Sequence, residues 1–412
     1  MFNPACRPSL VMACAMVAVI NLPVQAQTEG QSQFAESFYA ARLVDPIYSA
    51  KLADVRARRI SSRQAGAAFM PSANISFSQV DSGSNSRAVS VNQPLLNYER
   101  YLQYQQSDPL AVVAEAEARL ADNDLATRVF KAMAEIIRNR EAIRALGVQI
   151  DGLETQYKRA LRMRELGQGT VTEVSDFEVR VAGAQANRLS QQNALQAAQR
   201  NYTLLTGLVP KLASLSVDGA AATPDLRPLD ELIVQVRRTE ASVVVATQNL
   251  ELARIASKRS WAQFLPTVSA QANRSQASGA SPVSSSRIGL VLSAPLGASS
   301  YYEQQTASVA LERSQENLRA AEEAAVTELS NLYASVRSLE GEVSIRRRAV
   351  LAAQQAVEGN VKSYQGGVKS NIDVMTSYQN LAEAEAAVIN ARLSQEETAL
   401  RMQLLLGGMA VR

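Results

Sequence analysis

The chain repeats itself, and this constrains its fold more than any other feature: residues 167–207 recur at 367–407, an offset of 200 positions. Gly167-Gln168-Gly169-Thr170-Val171-Thr172-Glu173-Val174 lies over Gly367-Val368-Lys369-Ser370-Asn371-Ile372-Asp373-Val374, and Leu204-Leu205-Thr206-Gly207 over Leu404-Leu405-Leu406-Gly407. Solenoid units run about 20–50 residues, so a period this long describes a doubled half-molecule.

The duplication divides the chain. Residues 1–26 are expected to be an export signal, with Arg7 ahead of the apolar stretch 10–20 and small residues at Val24-Gln25-Ala26 for cleavage. Residues 27–207 form the first repeat, 208–228 a linker or equatorial segment, and 229–412 the second repeat. The cysteines Cys6 and Cys14 both fall in the signal, so a chain cut after Ala26 carries no thiol. Val11-Met12-Ala13-Cys14 loosely resembles a lipidation box, but apolar residues continue past Cys14 instead of ending there.

Each repeat reads as the same four parts. A helical pattern at 34–71 and 229–266 ends in Phe69-Met70-Pro71 and Phe264-Leu265-Pro266, where proline turns the preceding residue away from helix. Two alternating runs follow, at about 72–80 and 86–93 in the first repeat and about 267–275 and 286–294 in the second. Ala73, Ile75 and Phe77 alternate with Asn74, Ser76 and Ser78; Val89 and Val91, then Val268, Ala270 and Ala272, then Ile288, Leu290 and Leu292 behave alike. Period two bounded by polar turns predicts strand hairpins, and each pair closes on Pro-Leu, at Pro94-Leu95 and Pro295-Leu296.

The third part is a long helical run, about 98–163 and 299–363, with Pro109 starting a new helix or kinking the first. Apolar residues recur at three- and four-residue steps, from Leu125, Val129, Met133 and Ile136 to Tyr157 and Leu161, and from Leu329, Leu332 and Val336 to Val361. That spacing is a coiled-coil seam. After the glycine-containing turns, helices of about 35 residues return over 174–205 and 374–406. The chain is therefore expected to be mainly α with a small β part: long coiled-coil hairpins plus four strands.

Four strands are too few to close a barrel with a lumen. Open edges cannot face hydrocarbon, because their backbone groups would lack partners. If these short apolar-out, polar-in strands span a membrane, several chains must close the barrel together. Phe69, Trp261 and Phe264 precede the outgoing strands and Tyr98, Tyr101, Tyr301 and Tyr302 follow the returning ones, which would gather them at one rim as an interfacial belt. Packing at a helix–strand junction explains the same residues.

Composition removes other classes. With no histidine, the commonest general base and most zinc and copper sites are absent. No paired-carboxylate cleft or phosphate loop is visible, so neither an enzyme nor a cofactor is expected. A net charge of +3 without a basic run gives no support to nucleic-acid binding.

The helix–strand–strand–helix–helix order, twice over, with Pro71 and Pro266, the Pro-Leu steps and the Gly-x-x-[TS]-x-x-[DE]-Val turns, resembles the TolC-type outer-membrane factor family. The resemblance implies a homotrimer whose strands form one twelve-stranded barrel in outer-membrane lipid, continued by an α-helical tunnel across the periplasm. It implies a passive exit duct, working with a periplasmic adaptor (membrane fusion protein) and an inner-membrane transporter. It also assigns a periplasmic gate: Tyr364 and Lys369 as latch residues meeting Glu173, Asp373 in an acidic ring, and Asp176 as compensation where Thr376 replaces a second ring aspartate. Leu166, Gly167 and Gln168 with Gly366, Gly367 and Val368 correspond to the tips that receive the adaptor.

Within that family two roles compete. The stretch 41–48 with Asp45-Pro46 resembles the type I secretion branch, favouring an ABC transporter and a protein substrate over multidrug or small-molecule efflux. A reading of another class, a periplasmic coiled-coil adaptor or scaffold without a pore, would have one hairpin flanked by glycine-rich β-domains. This sequence carries two hairpins.

Overall fold

The computed structural model describes residues 33–80, 84–212, 215, 226–278, 283–294 and 298–408. The expected signal with Cys6 and Cys14, the Pro295-Leu296 step and most of the linker lie outside the described residues. In chain order the elements are α1 (Gln33–Val44), α2 (Pro46–Gly66), β1 (Ser72–Val80), β2 (Ser84–Leu96), α3 (Tyr98–Gln105), α4 (Ser107–Glu165) and α5 (Val171–Thr206). The second repeat supplies α6 (Leu229–Thr239), α7 (Ala241–Ala262), β3 (Thr267–Ser278), β4 (Val283–Ser293), α8 (Ala298–Gln365) and α9 (Asn371–Leu405).

The 68 residues of α8 rise about 100 Å at about 1.5 Å each. The corresponding run in the first repeat is interrupted. Asn97 caps α3 by accepting from the Arg100 amide, the helix ends at Gln105, and α4 starts at Ser107 with Pro109 in its first turn, where its missing N–H has no helical partner to lose. Each leading helical segment is also divided. Asp45 separates α1 from α2 and accepts a 2.8 Å hydrogen bond from the Tyr48 amide, with Pro46 at the first helical position; Glu240 does the same between α6 and α7 through the Val243 amide.

Asp45 is also the centre of a buried polar network. Arg128 of α4 donates a fork of two hydrogen bonds to it, 2.6 and 3.2 Å. Beside it, Arg42 donates to the Tyr48 hydroxyl (3.0 Å), which donates to Asp122 (2.8 Å). Burial pushes the Asp45 carboxyl up, but the bonds from Arg128 and the Tyr48 amide outweigh it and hold it below the usual carboxylate range.

The four duplicated glycines explain the repeat in backbone terms. Gly167, Gly207, Gly367 and Gly407 have φ of 73°, 72°, 76° and 81°, the left-handed region where a Cβ is penalised. At the long-helix ends the pattern is the same twice: Gln168 N–H to Met163 O (2.9 Å) with Gly167 N–H to Arg164 O (3.0 Å), and Val368 N–H to Ser363 O (2.9 Å) with Gly367 N–H to Tyr364 O (3.1 Å). These paired bonds satisfy the last carbonyls of each helix and turn the chain back. Thr170 and Ser370 then cap the returning helices.

The strands form one antiparallel sheet, β1-β2-β3-β4. The central pairing joins the repeats, with Val91 opposite Ala272 and Asn85 opposite Ser278. Pairing reaches further than the alternating runs suggest: β2 extends to Leu96 through a register shift between Pro94 and Leu96. The shift accommodates a proline that cannot donate to the ladder.

Four buried clusters line the helices among the described residues, the smallest joining Leu102 of α3 to Ile255 and Ala262 of α7. One gathers Phe34, Phe38, Leu125, Val129, Phe130, Met133 and Leu400, and a second places Leu232 and Val236 against Leu329, Leu332 and Val336. The third, near the turns, packs Ile150, Leu153, Val174 and Phe177 with Met375 from the other repeat. Apolar seams of the two hairpins therefore close on each other as well as within each arm.

Candidate functional site

At the turns, the repeats meet through side chains that differ between the copies. Tyr364, near the end of α8, donates a 2.6 Å hydrogen bond to Glu173 in the first turn of α5 and sets its ring edge-on to Phe177, 6.3 Å between centroids. The duplication places Arg164 where the second copy has Tyr364, so this contact exists once per chain. Burial first, then the bond to Glu173, pushes the Tyr364 phenol well up, with Arg159 opposing; it remains a donor across the physiological range.

A second cross-repeat bond runs from the side-chain Nδ2 of Asn371 to Asp176, 3.0 Å. Asp176 is thus a partnered, half-buried carboxylate. Its partner, along with Phe177, carried no chemical signature in the sequence. Both sit next to the duplicated turns, and comparing the copies position by position (Asn371 against Val171, Phe177 against Ser377) would have singled them out.

The expected pairing of Lys369 with Glu173 does not occur within the chain. Lys369 Nζ lies 3.6 Å from Asp373 on its own helix, one turn on. Asp373 is engaged further: it accepts from the Ser370 amide (3.0 Å) and hydroxyl (2.9 Å), while Ser370 Oγ accepts from the Asp373 amide (3.3 Å). This reciprocal capping box, with Lys369 a lesser cause, lowers the Asp373 carboxyl below its ordinary value. Four carbons of lysine reach the adjacent carboxylate more easily than one across the hairpin gap.

The tips themselves are open. Leu166 and Val368 are 64% and 81% exposed, Gly167, Gln168, Gly366 and Gly367 lie beside them, and Val171 and Ile372 add apolar surface that the sequence reading did not single out.

At the opposite end, the aromatics of the helix–strand junctions sit in pairs: Tyr98 with Tyr101 (6.0 Å), Trp261 with Phe264 (6.2 Å) and Tyr301 with Tyr302 (5.6 Å), all at least partly exposed, with Phe69 half-buried. Above them the register sorts the sheet into two faces, because residues opposite one another share a face. One carries Ala73, Ile75, Phe77, Val89, Val91, Val268, Ala270, Ala272, Ile288, Leu290 and Leu292; the other carries Ser72, Asn74, Ser76, Ser90, Asn92, Gln271 and Asn273. The apolar face is bare: Phe77 is 74% exposed, Ile288 86% and Leu292 71%.

Among the described residues, no helix is long and apolar enough to cross a membrane, and no group of three or more Cys, Asp or Glu is placed to hold a metal.

Residues 232–408 match the family described as outer membrane efflux protein. The protease secretion protein PrtF of Dickeya chrysanthemi is 24% identical over 303 residues, 71% of this chain and 66% of that protein. The outer membrane protein TolC of Vibrio cholerae is 22% identical over 336 residues, 76% of each. The fold matches the crystal structure of the outer membrane protein VceC from Vibrio cholerae with a TM-score of 0.75 over 91% of this chain and 96% of that one, at 19% identity. Together these likenesses support a TolC-type outer-membrane factor. The family match and the solved outer-membrane channels support a place in the outer membrane with a helical tunnel in the periplasm. The match to PrtF spans just under two thirds of that protein's length.

Proposed function

We propose that the chain is the outer-membrane exit duct of a tripartite export system. The observation that carries this reading is the sheet: one face apolar and bare, the other polar, with β1 and β4 each leaving an edge without a partner among the described residues. Three copies would bring twelve strands, pair every edge and place the Ser/Asn/Gln face around an aqueous lumen. The aromatic pairs then fall at the periplasmic interface of the barrel. A trimer by gel migration that is lost on heating, together with conductance in planar bilayers, is the expected result. A periplasmic monomer or a non-conducting trimer would rule it out.

In this reading Tyr364, Glu173, Asp176, Lys369 and Asp373 form the periplasmic gate. The bonds Tyr364–Glu173 and Asn371–Asp176 hold one repeat's turn against the other's, and threefold repetition of Asp373 would favour cations at the constriction. The exposed tips at residues 166–168 and 366–368 receive the periplasmic adaptor, whose own partner is the inner-membrane transporter. Type I protein secretion through an ABC transporter is the favoured system, supported by Asp45-Pro46 and by similarity to a protease secretion protein. The family description favours a second reading, small-molecule or multidrug efflux. Deleting the gene and measuring both secreted protease and drug susceptibility separates the two.

A further inference from the structure

The four strands contain no aspartate or glutamate, yet they carry three arginines: Arg87, Arg274 and Arg287. The register sends them to different faces. Arg287 pairs with Asn273 on the polar face, while Arg87 stands between Phe77 and Gln276, and Arg274 between Val89 and Ser286, on the apolar face. Arg87 and Arg274 are diagonal neighbours across β2 and β3, about 7 Å apart at the backbone, and both are exposed. Neither has a hydrogen bond or ion pair among the described residues.

Two like charges on a lipid-facing surface are tolerable only near an interface, with an anion to satisfy them. Their height fits one. Arg87 lies three residues from the hairpin end of β2 and Arg274 four from that of β3, about 10–13 Å along the strands, whereas the helix-end rim is marked by the aromatic pairs. The sheet therefore has aromatics at one border of its apolar band and paired guanidinium groups at the other.

We propose that Arg87 and Arg274 form a binding site for the phosphorylated glucosamine head group of an outer-leaflet glycolipid, three such sites per trimer. The proposal rests on the exit-duct reading, which puts the hairpin ends at the outer leaflet. Guanidinium groups match phosphate oxygens by forked hydrogen bonds, and two of them a few ångströms apart suit a charged sugar phosphate better than a single-chain zwitterion.

The test is native mass spectrometry of the detergent-solubilised trimer titrated with bis-phosphorylated lipid A, its dephosphorylated form, and phosphatidylglycerol. Wild type should retain lipid A, and Arg87→Gln/Arg274→Gln should weaken retention about tenfold or more. Arg287→Gln, removing the same charge from the other face, should bind like wild type, and the dephosphorylated lipid should bind like the double variant. Equal retention by wild type and the double variant would overturn the site, as would equal loss in Arg287→Gln. Retention of phosphatidylglycerol as strong as that of lipid A would overturn the choice of glycolipid. Conductance of each variant is measured in parallel: a chain that forms no conducting trimer refutes the duct itself, whereas conducting variants with unchanged lipid retention refute only this site.

Discussion

Tyr364 and Glu173, 191 residues apart in sequence, share a 2.6 Å hydrogen bond that ties the end of α8 to the start of α5. A phenol that stays protonated donates to a carboxylate, so this is a charge-assisted bond, and it forms only when the two turns stand side by side.

Tyr364→Phe keeps the ring against Phe177 and removes only the donor. Losing a partly exposed bond of this kind costs about 1 kcal/mol, and single-channel conductance of the resting trimer should rise, with Glu173→Gln acting in the same direction. Lys369→Ala, whose partner Asp373 is on its own helix, should raise conductance less than Tyr364→Phe. The reverse ranking would show that Lys369, not Tyr364, holds the turns.

Ser370→Ala dismantles the capping box of α9. The expected cost is about 1 kcal/mol, read as faster amide exchange over the first turn of α9 and a lower melting temperature. Ser370→Asp retains a side-chain acceptor at the cap and should recover most of the loss.

Gly152 on α4 faces the Tyr378 ring of α9 so closely that an added Cβ would lie 2.3 Å from a ring carbon. Gly152→Ala should therefore destabilise the packed hairpins by about 1–3 kcal/mol. Adding Tyr378→Leu should relieve it, while Gly147→Ala, with nothing within 4 Å of the new methyl, should be neutral or mildly stabilising. Thermal unfolding of the four proteins decides the point.

Asp45 makes stability depend on acid. Its folded-state affinity for a proton is lowered, so the unfolded chain, with an ordinary aspartate near about 3.9, binds that proton more readily. The contribution of the Arg128 pair is fully present above about pH 5 and is lost as pH falls through the lower folded value. Asp45→Asn should cost about 2 kcal/mol at neutral pH and flatten the decline in melting temperature below about pH 4. An unchanged acid slope would show that the decline comes from other carboxylates.

Much of the fold was legible because its demands are local. Gly167 and Gly367 mark a φ that other residues resist, Pro71 and Pro266 mark where helices stop, and Ala73, Ile75 and Phe77 mark a strand face two residues at a time. The breaks at Asp45 and Glu240 were less legible, whereas Pro109 had pointed to the one at Gln106. Asp45 and Glu240 carry caps, but a capping carboxylate inside an apolar period looks like any solvated residue.

Apart from Tyr364 with Glu173, which the family resemblance paired, the gate-end contacts were the least legible. Asp176, Lys369 and Asp373 were readable as charged residues of a turn; which of them meet was not. Asn371 reaches Asp176, and Lys369 stays on its own helix.

By itself, then, the sequence determined the repeated arm: its helix ends, its turns and the apolar side of every strand, all set by backbone dihedrals and short periodicity. Only the tertiary structure decided how the arms combine. The pairing of β2 with β3, the bond from Tyr364 to Glu173 and the diagonal of Arg87 with Arg274 join residues nearly 200 positions apart, and no local rule links them. They depend on the register in which two similar half-molecules pack, which is a property of the whole buried seam and not of any one segment.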